Sequence, residues 1–144
     1  MKATINWTGA ASFAATSGSG HEVQMDGPPD HGGENRWPRP MEMLLMGMGG
    51  CASFDVMSML SKGRQDVVAC RAELVAERAD TVPAVFTRIH MRFVVSGNNL
   101  KDTHVRRAIK LSVEKYCSAS ILMEQAGVEV THEYVVEKML VKNL

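Results

Sequence analysis

Cysteine is the residue type in this sequence whose chemistry packing explains least, and there are three: Cys51, Cys70 and Cys117. A thiolate can attack an electrophile, bind a soft metal ion or enter a reversible oxidation, so the first question is where a thiolate would be useful. Cys51 lies in the stretch MEMLLMGMGGCASFDVMSML, Met41 to Leu60, with Gly47 one turn before it and Gly49 and Gly50 immediately before it. In a helix each glycine costs about 1 kcal/mol against alanine. Three so close together suggest that something approaches the backbone, either a partner helix or a ligand. Cys51 is therefore either a small buried hydrophobe or a reactive thiol. Cys117 follows Tyr116 at an expected break between helices, where a helix N-terminus favours a thiolate; the competing reading is filler at a junction. Cys70 is in phase with Ala72, Leu74 and Ala76 and reads as structural.

Other chemistries find less support. No Cys-x-x-Cys occurs, and no Cys/His cluster has zinc spacing. His132 is in phase with Val128, Val130, Tyr134 and Val136 and reads as a satisfied core residue, whereas His90 lies on a charged strand face and reads as solvated. His21 and His31 flank a long loop and are the histidines that could line a site. There is no Gly-x-Ser-x-Gly, phosphate loop or dinucleotide fingerprint. Gly47-x-Gly49-Gly50 falls inside a helix rather than after a strand, so it is discounted as a phosphate cradle.

The elements that must position the thiols follow from period and punctuation. TINWTG, SFAAT and HEVQMD read as short strands, with a turn at Ser17-Gly18-Ser19-Gly20 between the last two. GPPDHGGENRWPRP, Gly27 to Pro40, holds four of the five prolines and three glycines, a loop long enough to act as a lid. Pro40 then fits the first turn of a helix with Glu42 near its positive end, running to about Leu60 and stopped by Lys62-Gly63-Arg64. That helix is apolar on every side and is expected to be buried all round. DVVACRAELVAERAD and AVFTRIHMRFVV follow as an antiparallel hairpin. Its inner face carries Ile89, Met91, Phe93 and Val95; its outer face pairs Glu73 and Glu77 with arginines. Asp102 or Thr103 caps a helix to about Tyr116 with a stripe of Val105, Ile109, Val113 and Tyr116. A short apolar run to Gly127 and a last strand, VEVTHEYVVE, complete an α+β domain spanning 1–144. One sheet cannot cover an all-apolar helix, so a second subunit is expected to supply the rest and the chain is expected to be an intimate dimer.

Lysine plus arginine and aspartate plus glutamate both number 16, giving zero formal net charge. That argues against nucleic acid or an anionic membrane as the main partner. No signal peptide and no run of 18 uncharged apolar residues is visible, so a soluble cytoplasmic protein with reduced thiols is expected.

PMEMLLMGMGGCASFDV around Cys51 and VRRAIKLSVEKYCSAS around Cys117 together resemble the two cysteine motifs of the OsmC/Ohr family, in particular its YhfA-like branch. The glycine-rich N-terminal hairpin, the loop with Gly-Gly and the last Tyr-containing strand agree, so the resemblance covers essentially the whole chain. It implies an intertwined homodimer with long central helices packed on antiparallel sheets. It also implies a dithiol-dependent organic hydroperoxide reductase acting in oxidative-stress defence. Cys51 would be the peroxidatic thiolate and pass through a sulfenic acid; Cys117 would resolve it as an intramolecular disulfide. An external dithiol such as dihydrolipoamide would reduce that disulfide, with no bound cofactor and no metal.

Two positions depart from the family pattern. The peroxidases use an arginine from the N-terminal strands, but none occurs here before Arg36, which leaves Arg36 and Arg39 as candidates. Their glutamate follows the proline directly, whereas here Met41 does and Glu42 comes next; one residue turns a helical side chain by about 100°. Asp55, one turn after Cys51, is a carboxylate that would raise a neighbouring thiol's pKa. Two further readings stay open on the same fold: a non-enzymatic binder of a small apolar or thiol ligand in the methionine-rich, glycine-lined dimer groove, and a stoichiometric redox sensor.

Overall fold

The computed structural model describes residues 1–138. The chain divides into two compact units, Met1–Met46 and Gly47–Leu144, with the long helix beginning in the first and continuing through the second.

The first unit is a three-stranded antiparallel meander of β1 (Ala3–Gly9), β2 (Ser12–Ser17) and β3 (Glu22–Met25). Ile5 faces Ala15, Trp7 faces Phe13, and Phe13 faces Met25 on the other side. All three strands match the expected segments. The following loop is more ordered than its proline and glycine content suggests. It contains a short 3₁₀ turn, Pro29–His31, and it is gathered around Asp26. That buried carboxylate accepts the Ser12 hydroxyl at 3.1 Å and the amides of Gly27 at 2.8 Å, Glu34 at 3.1 Å and Arg36 at 3.1 Å. Bonding to the ionised form, above all from the Arg36 amide, holds its pKa below the usual carboxylate value despite the opposing cost of burial. Gly33 sits against the backbone of Gly27 so closely that a Cβ there would collide with the Gly27 carbonyl.

α1 spans Pro40–Lys62, with Pro40 as its first residue. Met48, Gly49, Ala52, Val56 and Leu60 form one buried row along it, while Leu44, Met46 and Phe54 are exposed, Phe54 by 75%. The helix expected to be buried on every side is thus covered on one side within a single chain. By length and composition it could cross a membrane, but the packed row makes it the core helix of this unit.

β4 (Asp66–Arg78) and β5 (Phe86–Asn98) form the expected antiparallel hairpin. Cys70, Ala72, Leu74 and Ala76 take one face of β4, and Ile89, Met91, Phe93 and Val95 are buried on β5. On the outer face Glu73 pairs with Arg92 at 2.8 Å and with Arg71 at 2.9 Å, and Arg88 pairs with Glu129 at 3.0 Å. His90 is half-buried there, bonded to Thr131 at 2.8 Å, rather than fully solvated. β6 (Glu129–Lys138) runs parallel to β5, which corrects the expectation of purely antiparallel sheets. The helical connection from β5 returns the chain to the end at which β5 began, and such a crossover makes a parallel pair.

α2 covers Asp102–Leu111 and α3 covers Ser118–Gln125, separated by one π-helical turn, Ser112–Tyr116. Neither Asp102 nor Thr103 caps α2. Lys101 occupies that position, its amide donating to Gln65 Oε1 at 2.8 Å, and Asp102 instead accepts the Tyr134 hydroxyl at 3.1 Å. Val105, Ile109 and Val113 are buried as expected, but Tyr116 is exposed. The π turn is the reason. Its extra residue, marked by the Cys117 amide bonding to the Ser112 carbonyl at 2.8 Å, swings Tyr116 outward and carries Cys117 into the buried stripe.

Candidate active site

Cys51 and Cys117 lie far apart in the second unit's sequence and come together inside it. Cys51 follows two glycines on α1. Gly49 faces β4, where an added Cβ would lie 2.8 Å from Leu74 Cδ1, so this glycine lets helix and sheet approach. Gly47 and Gly50 meet nothing within 4 Å among the described residues. On an α-helix Gly47, Gly50 and Phe54 share one side, opposite the buried row, and Cys51 and Asp55 lie on the flank between the two. Cys51 is accordingly half-buried.

Cys117 is fully buried at the N-cap of α3. Two interactions hold the segment that carries it. The Ser112 hydroxyl, fully buried, donates to the Ala52 carbonyl on α1 at 2.9 Å, and the π turn sets the phase. The Sγ atoms of Cys51 and Cys117 and a carboxylate oxygen of Asp55 all lie within 4.8 Å of one another.

The electrostatics of Cys117 run in both directions. Burial, the largest influence, pushes its pKa up, and the neighbouring Cys51 adds to this. The Ser120 hydroxyl and the Ser120 amide, which donates to Cys117 Sγ at 3.4 Å, pull it down. The Ser120 side chain is buried and its hydroxyl has no hydrogen-bond partner among the described residues. The helix N-terminus expected to favour a thiolate is therefore present, but desolvation outweighs it. Burial also raises the Cys70 pKa, and that thiol stays on the apolar face of β4 as expected.

Of the other candidates, Glu42, Arg36, Arg39, His21 and His31 belong to the first unit and His132 to the second. Glu42 is exposed and accepts the Arg39 amide at 2.8 Å, the reciprocal half of a capping box. Arg39 reaches Asn35 Oδ1 at 3.4 Å, and its Nε is buried with no partner among the described residues. Arg36 pairs with Glu34 at 3.0 Å and stands 5.0 Å over the Trp37 ring. His21 bonds Ser19 at 3.0 Å and is exposed, and His31 is exposed beside Asp30, so neither is enclosed in a site. His132 is half-buried and satisfied by Glu114 at 3.1 Å.

A long helix packed along one side and carrying one thiol, a three-stranded sheet and a second thiol at a helix junction define an OsmC-like protein. The family's sequence profile, described as OsmC-like protein, matches residues 32–133, and the chain belongs to that family. Protein YhfA of Escherichia coli K12 is 46% identical over 136 residues, covering 94% of this chain and 98% of that one. A structural-genomics structure is 45% identical with a TM-score of 0.86, covering 96% and 99% of the two chains. The organic hydroperoxide resistance protein OhrB of Bacillus subtilis shares the fold at 17% identity, with a TM-score of 0.62 over 93% and 96% of the two chains.

Proposed function

We propose that this protein is a cytoplasmic, dithiol-dependent organic hydroperoxide reductase. The observation that carries this reading is the proximity of two thiols of unequal exposure, Cys51 half-buried and Cys117 buried, whose sulfurs lie within 4.8 Å of each other, with the Ser120 amide donating to the second. The Cys51 thiolate attacks the peroxide, forming an S–O bond as the O–O bond breaks. The alkoxide leaves, takes a proton and departs as the alcohol; Cys51 is then a sulfenic acid. Cys117 attacks that sulfur, a disulfide forms and water leaves. An external dithiol such as dihydrolipoamide reduces the disulfide by exchange and leaves as its own disulfide. The names of solved relatives such as the organic hydroperoxide resistance proteins support the substrate class.

We also propose a homodimer, because the exposed apolar side of α1, with Phe54 at its centre, needs cover. Phe54→Glu should shift the chain to monomer in sedimentation.

The deciding experiment is turnover of an alkyl hydroperoxide with dihydrolipoamide, with mass spectrometry of the oxidised chain. Cys51→Ser should abolish turnover. Cys117→Ser should leave a sulfenic acid on Cys51 that a carbon nucleophile traps. Arg36→Ala, Arg39→Ala and Glu42→Gln complete the series as the auxiliaries implied by the family resemblance. A wild-type rate equal to that of Cys51→Ser would end the proposal, and stoichiometric oxidation that no dithiol reverses would favour a redox sensor.

A further inference from the structure

We propose that Cys51, Asp55 and Cys117 form a binding site for zinc(II), in which the metal occupies both thiolates and competes with their oxidation. The argument starts from geometry. Tetrahedral zinc takes sulfur at about 2.3 Å and carboxylate oxygen at about 2.0–2.2 Å, which places neighbouring ligand atoms about 3.5–3.8 Å apart. The three ligand atoms here lie within 4.8 Å of one another, so small side-chain rotations would bring them to those separations. Cys51 and Asp55 are one helical turn apart on the same flank of α1, and both are half-buried, so their side chains have room to turn toward a shared ion.

The donor set selects the ion. Calcium and magnesium require oxygen ligands throughout, and copper(I) is satisfied by sulfur alone; two thiolates with one carboxylate suit zinc. Three protein ligands leave a fourth position for water, the arrangement of an open zinc site. The outer contacts also fit. The Ser120 amide donates to Cys117 Sγ at 3.4 Å, so a Cys117 sulfur kept negative by a metal would be supported from behind, and the buried Ser120 hydroxyl has no hydrogen-bond partner among the described residues and is free to turn toward it. In sequence terms the site is invisible to spacing rules, because Asp55 is not a usual partner for cysteine and Cys117 arrives from a distant helix junction. A disulfide between the thiols and a metal on them exclude each other, so zinc would act as a reversible cap. The inference concerns binding and stands whether or not the protein reduces peroxides.

The test uses the full-length chain, reduced and held under anaerobic conditions, with cobalt(II) as the spectroscopic probe and zinc(II) as competitor. One cobalt per chain is expected, with tetrahedral d–d bands and a thiolate-to-metal charge-transfer band that zinc displaces. Zinc should protect Cys51 and Cys117 of the wild-type chain from alkylation while Cys70 stays as reactive as before. Cys51→Ser and Cys117→Ser should each remove the charge-transfer band or halve it with a large loss of affinity, Asp55→Asn should weaken binding at least about tenfold, and Cys70→Ser should change nothing. Affinity should fall with falling pH as protons compete for the thiolates. Absence of the band in wild-type protein, a band unchanged in Cys51→Ser, or wild-type affinity in Asp55→Asn would overturn the assignment. The protection assay on the unmodified chain keeps it testable if a variant fails to fold.

Discussion

Three glycines precede the half-buried thiol, and they are expected to respond differently to the same added methyl group. Gly→Ala inside a helix gains about 0.8–1.0 kcal/mol from backbone propensity alone. At Gly49 the new Cβ would stand 2.8 Å from Leu74 Cδ1 and 3.5 Å from Cδ2. Overpacking of this kind costs about 1–3 kcal/mol. The opposing atom is the tip of a side chain, which can rotate away, so the lower half of that range applies and Gly49→Ala should fall between neutral and about 1 kcal/mol destabilised. At Gly50 nothing lies within 4 Å among the described residues, so the full propensity gain should appear at concentrations where the chain is monomeric. It should fade as concentration rises, because the proposed dimer covers the side that Gly50 shares with Phe54. Urea denaturation across a concentration series measures both. The decisive comparison is a double-mutant cycle. In a Leu74→Ala background the obstruction is gone, and Gly49→Ala should become stabilising by about 0.8–1.0 kcal/mol, a coupling of about 1–2 kcal/mol. If Gly49→Ala in the wild-type background were as favourable as Gly50→Ala, or if Leu74→Ala left its effect unchanged, close approach of α1 to β4 would not be what Gly49 serves.

Ser112→Ala removes the buried hydrogen bond to the Ala52 carbonyl, which keeps its ordinary helical partner, so the cost should be about 1 kcal/mol, or a Tm lower by about 2–4 °C in calorimetry; disulfide formation after peroxide treatment should also slow. The Cys117 pKa is raised in the folded chain, so its contribution to stability is complete below the thiol's unfolded value near 9.0 and is lost as pH rises through the folded value; Cys117→Ser should flatten alkaline denaturation curves. The Asp26 pKa is lowered, so its contribution is complete above the unfolded value near 3.8 and is lost as pH falls through the folded one. Asp26→Asn should remove that acid-side dependence and speed hydrogen exchange at the Glu34 and Arg36 amides.

Much of this molecule is legible from its sequence because the signals are local. Strand alternation set the inner face of β5, the outer ion pairs followed from it, and Pro40 marked the start of α1. The thiol pair was legible through two motifs at once, each weak alone. What was hidden depended on contacts that period and spacing do not encode. The 3.6-residue period puts Tyr116 in the α2 stripe because it assumes an unbroken α-helix, and one π turn shifts every later residue. Asp26 looked like the end of a strand; only the folded loop supplies the three amides that make it a hub. Glu42 read as a carboxylate that could serve chemistry, yet its visible partner is the Arg39 amide, a capping contact sequence can suggest but not separate from function. Asp55 registered as a neighbour of Cys51 alone, because its closeness to Cys117 exists only after the two helical segments pack.

The raised pKa of Cys117 looks at first like an argument against redox chemistry, but in the proposed reaction it orders the two steps. Two equally reactive thiols would both oxidise, and a pair of sulfenic acids has no thiol left to resolve either. A fully buried Cys117 with a raised pKa leaves the half-buried Cys51 as the sulfur that peroxide meets first. Once Cys51 carries the oxygen, its sulfur no longer bears the thiolate charge that helps hold Cys117 neutral. The Ser120 amide and hydroxyl remain in place to stabilise the Cys117 thiolate as it attacks. Ser120 thus lowers the barrier for the second thiol without exposing it to the first step. Ser120→Ala should therefore lengthen the life of the sulfenic acid while leaving the rate of its formation unchanged, and a rapid-mixing experiment that resolves the two phases would show equal slowing of both if this ordering were wrong.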